Sequence, residues 1–251
     1  MTQLLALSRR AVREVLRTPE QLFPTIFIPL FFLVVNLGQA GRIFPSGRTP
    51  FLKGQNYAAF QVPSALLLAA SFGGAALYLV EDIVGGYFDK MRASPVSRTT
   101  VVMHRLVAEG AKSFLIAFAI VLVAFLFGIS VASGPLGLLL LLSLAASWAI
   151  AYSGFVQLLA LKTRSAAATQ SGSLIFFPLL FLTPNFVPRN LLTRPMEIAA
   201  TCNPVTYIME ALRSLILDHF NWARIGRGFA VVAVAGLVMV ALNVRAIRNY
   251  D

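Results

Sequence analysis

Residues 113–161 read SFLIAFAIVLVAFLFGISVASGPLGLLLLLSLAASWAIAYSGFVQLLAL, a stretch without Asp, Glu, Lys or Arg. A helix that crosses the hydrocarbon core of a bilayer needs about 20 consecutive, mostly apolar residues. The stretch is too long for one such helix, and residues 130–135 bring small and turn-forming side chains near its middle. It therefore predicts two membrane-spanning helices joined by a short connection.

The rest of the chain repeats this pattern. Hydrophobic residues make up 58% of the sequence and charged residues 12%, whereas soluble domains carry about 25% charged residues. Four more uncharged runs cover residues 21–41, 57–80, 165–188 and 228–244. Since a charge at the bilayer centre costs at least about 2.5–3.5 kcal/mol, each run is read as a span. The prediction is an all-α integral membrane protein with six transmembrane helices in one domain, residues 1–251.

Charge placement predicts the orientation. Most of the 21 Lys and Arg residues fall in segments on the same side as the two termini. By the positive-inside rule, both termini are cytoplasmic, as in a multi-pass protein of a bacterial-type plasma membrane. The net charge of +11 would suggest nucleic acid as the partner of a soluble protein. In a membrane protein it is better explained by orientation and by lipid headgroups, so no nucleic-acid partner is expected.

The first residues, 2–18, have the pattern of an amphipathic helix. At 100° per residue, Leu and Val side chains share one face and charged side chains share the other. Such a helix lies on the membrane surface. Its basic residues are Arg9, Arg10, Arg13 and Arg17. The alternative is a soluble amphipathic helix that packs on a partner protein.

The most charged stretch, residues 81–112, connects the second and third spans. Gly85 and Gly86 permit a sharp turn, a short helix then runs to about Arg92, and Ser94-Pro95 stops it. A second helix begins near Thr99. Loops of this length that contain a helix are usually functional, which favours a protein-docking role over a merely solvated loop.

Residues 184–219, after the fifth span, are apolar but interrupted. One short helix begins at Pro195, and Asn203-Pro204 begins another, with Asn as N-cap and Pro at the first helical position. Neither is long enough to cross a bilayer, so a re-entrant pair on the outer side is predicted. Broken helices at membrane depth are tolerated where they are buried or line a water-filled path. This favours a gate, and the alternative is a packed outer cap without a role in transport.

A translocation path needs polar atoms inside the bundle. The candidates in the second, fourth and fifth spans are Gln61, Ser64, Ser147, Tyr152, Gln157 and Gln170. The alternative is ordinary helix packing, in which small and hydroxyl residues are common. Because the uncharged runs contain no Asp, Glu, Lys or Arg, proton coupling and small-ion selection are disfavoured, and a hydrophobic or amphipathic cargo is favoured.

Catalytic motifs are absent from the sequence. There is no G-x-x-x-x-G-K-[ST] phosphate-binding loop, no H-E-x-x-H and no G-x-S-x-G. The single cysteine, Cys202, excludes both an intramolecular disulfide and a cysteine metal cluster. We therefore expect a protein without enzymatic activity, bound metal or cofactor of its own.

The order of these pieces resembles the membrane subunit of type-2 ABC exporters. The most specific parts are EDIVGGYFDKMRASPVSR at residues 81–98 and NPVTY at residues 203–207, followed by EALR at residues 210–213. The opening pattern, RTPE at residues 17–20 leading to PLFF at residues 29–32, is more similar to the daunorubicin-type drug-resistance branch than to the polysaccharide and teichoic-acid branch.

The resemblance implies a division of labour. ATP and Mg²⁺ are bound by separate ABC ATPase subunits, of which two are expected, and two permease copies, identical or paralogous, form the path. The coupling helix that contacts the ATPase would comprise Gly86, Asp89, Lys90, Met91, Arg92, Ser94, Pro95, Val96, Ser97 and Arg98. The outer gate would comprise Asn203, Pro204, Tyr207, Glu210 and Arg213.

The sequence leaves two other functions open. The same machine could export a lipid-linked polysaccharide or teichoic acid instead of a drug or lipid-like molecule. In a different class, the chain could be a membrane assembly or anchoring protein that transports nothing.

Overall fold

The computed structural model of the protein describes residues 19–72, 75–88, 90 and 97–249. These residues form α-helices, two short 3₁₀ turns at Pro50–Leu52 and Arg189–Leu191, and connecting loops. The helices are α1 (Pro19–Ala40), α2 (Tyr57–Ser71), α3 (Ala75–Val84), α4 (Arg98–Leu126), α5 (Gly134–Thr163), α6 (Ala166–Leu174), α7 (Phe176–Phe181), α8 (Arg194–Cys202), α9 (Pro204–Leu217) and α10 (Trp222–Arg248).

Five helical segments of the described chain are long and apolar enough to cross a membrane. They are Phe23–Ala40, Tyr57–Val84, Thr99–Leu126, Gly134–Thr163 and Trp222–Arg248. The second of these comprises α2 and α3. The connection predicted within residues 130–135 is present, because α4 ends at Leu126 and α5 begins at Gly134. The protein is thus an all-helical, multi-pass membrane protein, and these five segments match five of the six predicted spans.

The predicted fifth span, residues 165–188, is shorter than expected. Its helical part is the apolar segment Ala166–Phe181, interrupted at Ile175 between α6 and α7. Pro178 has no N–H to donate to the carbonyl of Leu174, so the α-helical ladder is weakened at this point. At 1.5 Å per residue the segment reaches about 24 Å, less than the roughly 30 Å of a hydrocarbon core.

The helices run back and forth between two ends of the bundle. We call one the Arg213 end, formed by residues 41–56, 127–133, 182–203 and 218–221, and the other the Arg164 end. Gln55 ties the first end together, because its Nε2 donates to the carbonyl of Ile216 at 2.8 Å and its Oε1 accepts from the Ser130 amide at 3.2 Å. The loop before α2 is therefore joined to the loop after α4 and to the last turn of α9.

Helix α2 occupies the centre of the bundle. Each of its residues is buried, and it packs against α1, α4, α5 and α9. The outer helices instead expose apolar stripes: Phe23, Phe27 and Phe31 of α1 are 65%, 51% and 54% exposed. Exposed apolar surface of this extent is what a lipid environment accommodates and water does not.

Several predictions concern residues outside the described ones. The amphipathic helix of residues 2–18, with Arg9, Arg10, Arg13 and Arg17, is among them. So are Asp89, Met91, Arg92, Ser94, Pro95 and Val96 of the coupling segment. The flanks of that segment are described: Gly86 makes the predicted turn with φ +70°, and the Ser97 side chain caps α4 by accepting from the Thr100 amide.

Candidate functional site

A cavity of about 630 Å³ opens at the Arg213 end, and we call it the Arg213 cavity. It lies where α9 meets the loops before α2 and after α7. Its walls carry charged side chains of both signs. They are Lys53, Arg189, Glu197, Glu210, Arg213, Asp218, Arg224 and Arg227.

The start of α9 is built as the sequence predicts. The Asn203 side chain accepts a hydrogen bond from the Val205 amide at 3.0 Å, and Pro204 takes the first helical position. The Nδ2 of Asn203 also donates to the carbonyl of Leu179 at 2.6 Å, which joins α9 to α7. Asn203 thus fixes both where α9 begins and where its first turn lies.

Three of the predicted gate residues share one face of α9. Tyr207, Glu210 and Arg213 are three residues apart, so they stack along the helix, and all three line the Arg213 cavity. Their side chains are held from different directions. The Tyr207 hydroxyl donates to the carbonyl of Thr201 at 2.8 Å, which connects α9 to α8.

Arg213 is the most buried charged group of the cavity. Its side chain donates to three carbonyl oxygens: Nε to Phe60 at 3.1 Å, Nη1 to Pro184 at 2.5 Å and Nη2 to Asn185 at 2.9 Å. Its guanidinium also lies 3.5 Å from the centroid of the Phe60 ring, in cation–π geometry. Arg213 therefore connects α9 to α2 and to the chain that leaves α7.

Glu210, the acidic residue on the same face of α9, forms an ion pair with Arg189. Glu210 Oε1 lies 3.0 Å from Nη2 of Arg189, and the Arg189 guanidinium stands over the Tyr207 ring. Both members of this ion pair are partly exposed, at 25% and 29%. Pairs this exposed contribute about 0–1 kcal/mol to stability, so the contact is easily broken. The sequence did not single out Arg189, and its position after Pro188 in a loop carried no helical signal.

Two of the candidate path residues join this site. Gln61 Nε2 donates to the Tyr57 hydroxyl at 2.7 Å and, at 3.3 Å, to the Asn185 carbonyl that also accepts from Arg213. Ser64 donates to the side-chain oxygen of Asn185. The predicted gate and the start of the predicted path thus form one buried hydrogen-bond network. Asn185, which the sequence did not suggest as a site residue, is its hub.

The other four candidates are not brought together. Ser147 donates to the carbonyl of Ser143 in its own helix at 2.7 Å, and the Tyr152 hydroxyl lies 3.3 Å from the carbonyls of Gly172 and Ser173. Gln170 is exposed on α6. The Gln157 amide is buried, and neither of its polar atoms has a hydrogen-bond partner among the described residues. These four residues do not outline a continuous channel within one chain.

Charged groups are also buried near the Arg164 end, although the uncharged runs suggested a bundle without them. Asp82 of α3 forms an ion pair with Arg105 of α4, and Glu109 Oε1 lies 2.5 Å from Nζ of Lys112 within α4. The uncharged run of the third span begins only at residue 113, but its helix extends back to Arg98 and buries these side chains. The expectation that the helices bury no charged side chain is therefore wrong, because α4 begins before the uncharged run and buries Arg105, Glu109 and Lys112.

The sequence profile of the family described as ABC-2 type transporter matches residues 2–217. The chain is 23% identical over 246 residues to the daunorubicin resistance ABC transporter permease protein DrrB1 of Streptomyces coeruleorubidus, covering 96% of this chain and 84% of that protein. It is 25% identical over 269 residues to the putative transport permease ycf38 of Pyropia yezoensis, with the same coverage of 96% and 84%.

Proposed function

The chain belongs to the ABC-2 type transporter family, and we propose that it is the membrane permease subunit of an ATP-driven exporter for a hydrophobic or amphipathic, drug-like molecule. The observation that carries the proposal is the similarity, over 96% of this chain, to a permease named for daunorubicin resistance. The apolar character of the spans agrees with a cargo that enters partly from the bilayer.

In this proposal the energy source lies outside the chain. The sequence contains no phosphate-binding loop, so ATP and Mg²⁺ would be bound by two ABC ATPase subunits. Two permease copies, identical or paralogous, would enclose the path, which would explain why four of the six candidate path residues are not brought together within one chain. Both termini would be cytoplasmic in a bacterial-type plasma membrane, with the Arg213 end outside.

The segment from Gly86 to Arg98 would transmit the movement of the ATPase. It lies between α3 and α4, and the ion pair of Asp82 with Arg105 holds these two helices together next to it. A push on the segment would therefore move α3 and α4 as one unit. Mixed charges on Asp89, Lys90 and Arg92 would set the docking register rather than the affinity.

The Arg213 cavity would be the outer gate of the path. Its rigid part is the Arg213 network, which anchors α9 to the central helix α2. Its movable part is the ion pair of Arg189 with Glu210, which is partly exposed. The opening step would separate this pair and leave the buried anchor intact.

The test is reconstitution with an ATPase. The chain is co-expressed with candidate ABC ATPases, purified with the one that it binds and placed in vesicles. ATP hydrolysis is then measured with a panel of drugs, phospholipids and lipid-linked glycans. Stimulation by amphipathic drugs and ATP-dependent drug accumulation in the vesicles are the expected results. Stimulation by lipid-linked glycans alone would assign the polysaccharide function. Failure to bind any ATPase would contradict the exporter and favour an anchoring protein.

A further inference from the structure

A second opening, of about 540 Å³, lies at the Arg164 end between the last turns of α5 and α10. We call it the basic groove. Its mouth carries Lys162 and Arg164 from one helix and Arg245 from the other, and its walls include Leu158, Leu161 and Leu242. An anionic phospholipid matches both features, because its phosphate is attracted to the cationic groups and its acyl chains pack on the apolar walls.

The groove exists because α5 and α10 touch tightly at one level and separate beyond it. A Cβ atom built on Gly154 would lie 2.8 Å from Cβ of Met239, so only glycine permits this approach. At the same level the Asn243 side chain donates to the Gly154 carbonyl at 2.7 Å. Toward the Arg164 end the space between the two helices is open, and Leu242, on the turn that leads from Met239 to Arg245, is 40% exposed.

The charge of the groove distinguishes it from the Arg213 cavity. Acidic side chains line the latter alongside its basic ones, whereas the residues among 19–249 that line the basic groove include three cations and no Asp or Glu. Basic residues in a last helical turn are favoured by the helix dipole, but by only about 0.3–1 kcal/mol each. That preference places cations near each helix end and does not require cations of two helices to face one opening.

We propose that the basic groove binds an anionic phospholipid, with the phosphate at Lys162, Arg164 and Arg245 and an acyl chain along Leu158, Leu161 and Leu242. Basic openings between transmembrane helices attract anionic headgroups, and each basic residue near the membrane surface contributes about 1 kcal/mol. The amphipathic residues 2–18 of this chain are a poor occupant, because Arg9, Arg10, Arg13 and Arg17 would be repelled. The inference goes beyond the proposed transport function, since lipid binding requires neither an ATPase nor a cargo.

The experiment is a lipid titration of the full chain in neutral detergent, followed by native mass spectrometry. Phosphatidylglycerol and phosphatidylcholine with the same acyl chains are compared, and phosphatidylglycerol is expected to bind more tightly. Arg245→Gln should weaken its binding about fivefold, the equivalent of about 1 kcal/mol. The matched control is Arg248→Gln, which removes an exposed arginine from the same helical turn outside the groove and should leave the affinity unchanged.

A second variant tests the apolar wall without removing charge. Leu242→Trp fills the groove from a partly exposed position and should also weaken phosphatidylglycerol binding, while the melting temperature of the protein stays close to that of the wild type.

Inorganic phosphate and glycerophosphoglycerol at the lipid concentration should not compete. Equal binding of both lipids, an equal loss in Arg248→Gln, or competition by inorganic phosphate would each overturn the proposal. An Arg245→Gln protein that binds phosphatidylglycerol normally but no longer co-purifies with the ATPase would assign the groove to a protein partner instead.

Discussion

Arg213 is fixed to Phe60 by two different contacts. The guanidinium lies 3.5 Å from the centroid of the Phe60 ring, and its Nε donates to the Phe60 carbonyl at 3.1 Å. Phe60 belongs to the central helix α2, so both contacts require the Arg213 side chain to lie directly against this helix. The two contacts therefore place α9 at one position relative to the centre of the bundle.

Replacing Arg213 should destabilise the protein strongly. Arg213→Lys keeps the charge but cannot reach the carbonyls of Phe60, Pro184 and Asn185 together, since its single ammonium lacks the planar fork. Hydrogen bonds from a charged donor contribute about 1.5–3 kcal/mol each, and the buried Pro184 carbonyl would also be left without its donor. At roughly 2–4 °C per kcal/mol for a chain of this size, the melting temperature in detergent should fall by several degrees at least.

The matched control for this prediction is Arg224→Gln. Arg224 lines the same cavity, but its side chain is 51% exposed and lies 3.5 Å from Asp218. Such a pair is worth about 0–1 kcal/mol, so the melting temperature should barely change. Equal melting temperatures for Arg213→Lys and Arg224→Gln would show that the buried contacts of Arg213 stabilise the protein no more than the exposed pair does.

Two glycines of α10 should respond oppositely to alanine. A Cβ atom on Gly228 would lie 2.6 Å from Cβ of Ala211 in α9, whereas one on Gly226 would meet nothing within 4 Å. Gly228→Ala should therefore force α9 and α10 apart and cost about 1–3 kcal/mol, as other overpacked positions do. Gly226→Ala should be neutral or stabilising by up to about 1 kcal/mol through helix propensity. Thermal unfolding of both variants in detergent measures the difference, and a destabilised Gly226→Ala would contradict it.

The sequence predicted those features of the fold that depend on neighbouring residues. Four of the five uncharged runs coincide with helices long and apolar enough to cross a membrane. Asn203-Pro204 identified the first turn of α9 through a hydrogen bond two residues away. The turn at Gly86 followed in the same way, because a glycine pair permits a positive φ angle. In each case the cause and its effect lie within a few positions of the chain.

Contacts between distant parts of the chain were not predictable in this way. The partners of Arg213 are carbonyls of residues 60, 184 and 185, and main-chain acceptors leave no mark on the sequence. Asn185 is an unremarkable loop residue until α2 and α9 are placed beside it. The predicted fifth span is interrupted at Ile175, where Pro178 removes a hydrogen-bond donor, whereas α1 continues as one helix through Pro24 and Pro29. A proline therefore indicates a weak point, and packing decides whether the helix ends there.

The ion pair of Asp82 with Arg105 should contribute strongly to the stability of the protein, whereas the neighbouring acidic residue, Glu81, should contribute little. Both members are buried in the contact between α3 and α4, and removing one partner of a buried pair typically costs about 3–5 kcal/mol. Asp82→Asn should therefore lower the melting temperature strongly. Glu81→Gln, an equivalent change at an exposed position, should not. If the two variants unfold at the same temperature, the pair does not hold α3 and α4 together.

The coupling segment between these helices yields the last prediction. Alanine at Asp89, Lys90 and Arg92 together should abolish ATP-dependent transport in reconstituted vesicles while the ATPase continues to hydrolyse ATP. The reason is that docking charges mainly set register, so their loss allows the ATPase to close without moving α3 and α4. The control removes three basic side chains at the Arg213 end, Arg42, Arg48 and Arg194, all of them exposed, and should leave transport intact. Transport at the wild-type rate in the Asp89, Lys90 and Arg92 variant would mean that the movement enters the bundle elsewhere, with the amphipathic residues 2–18 as the next segment to test.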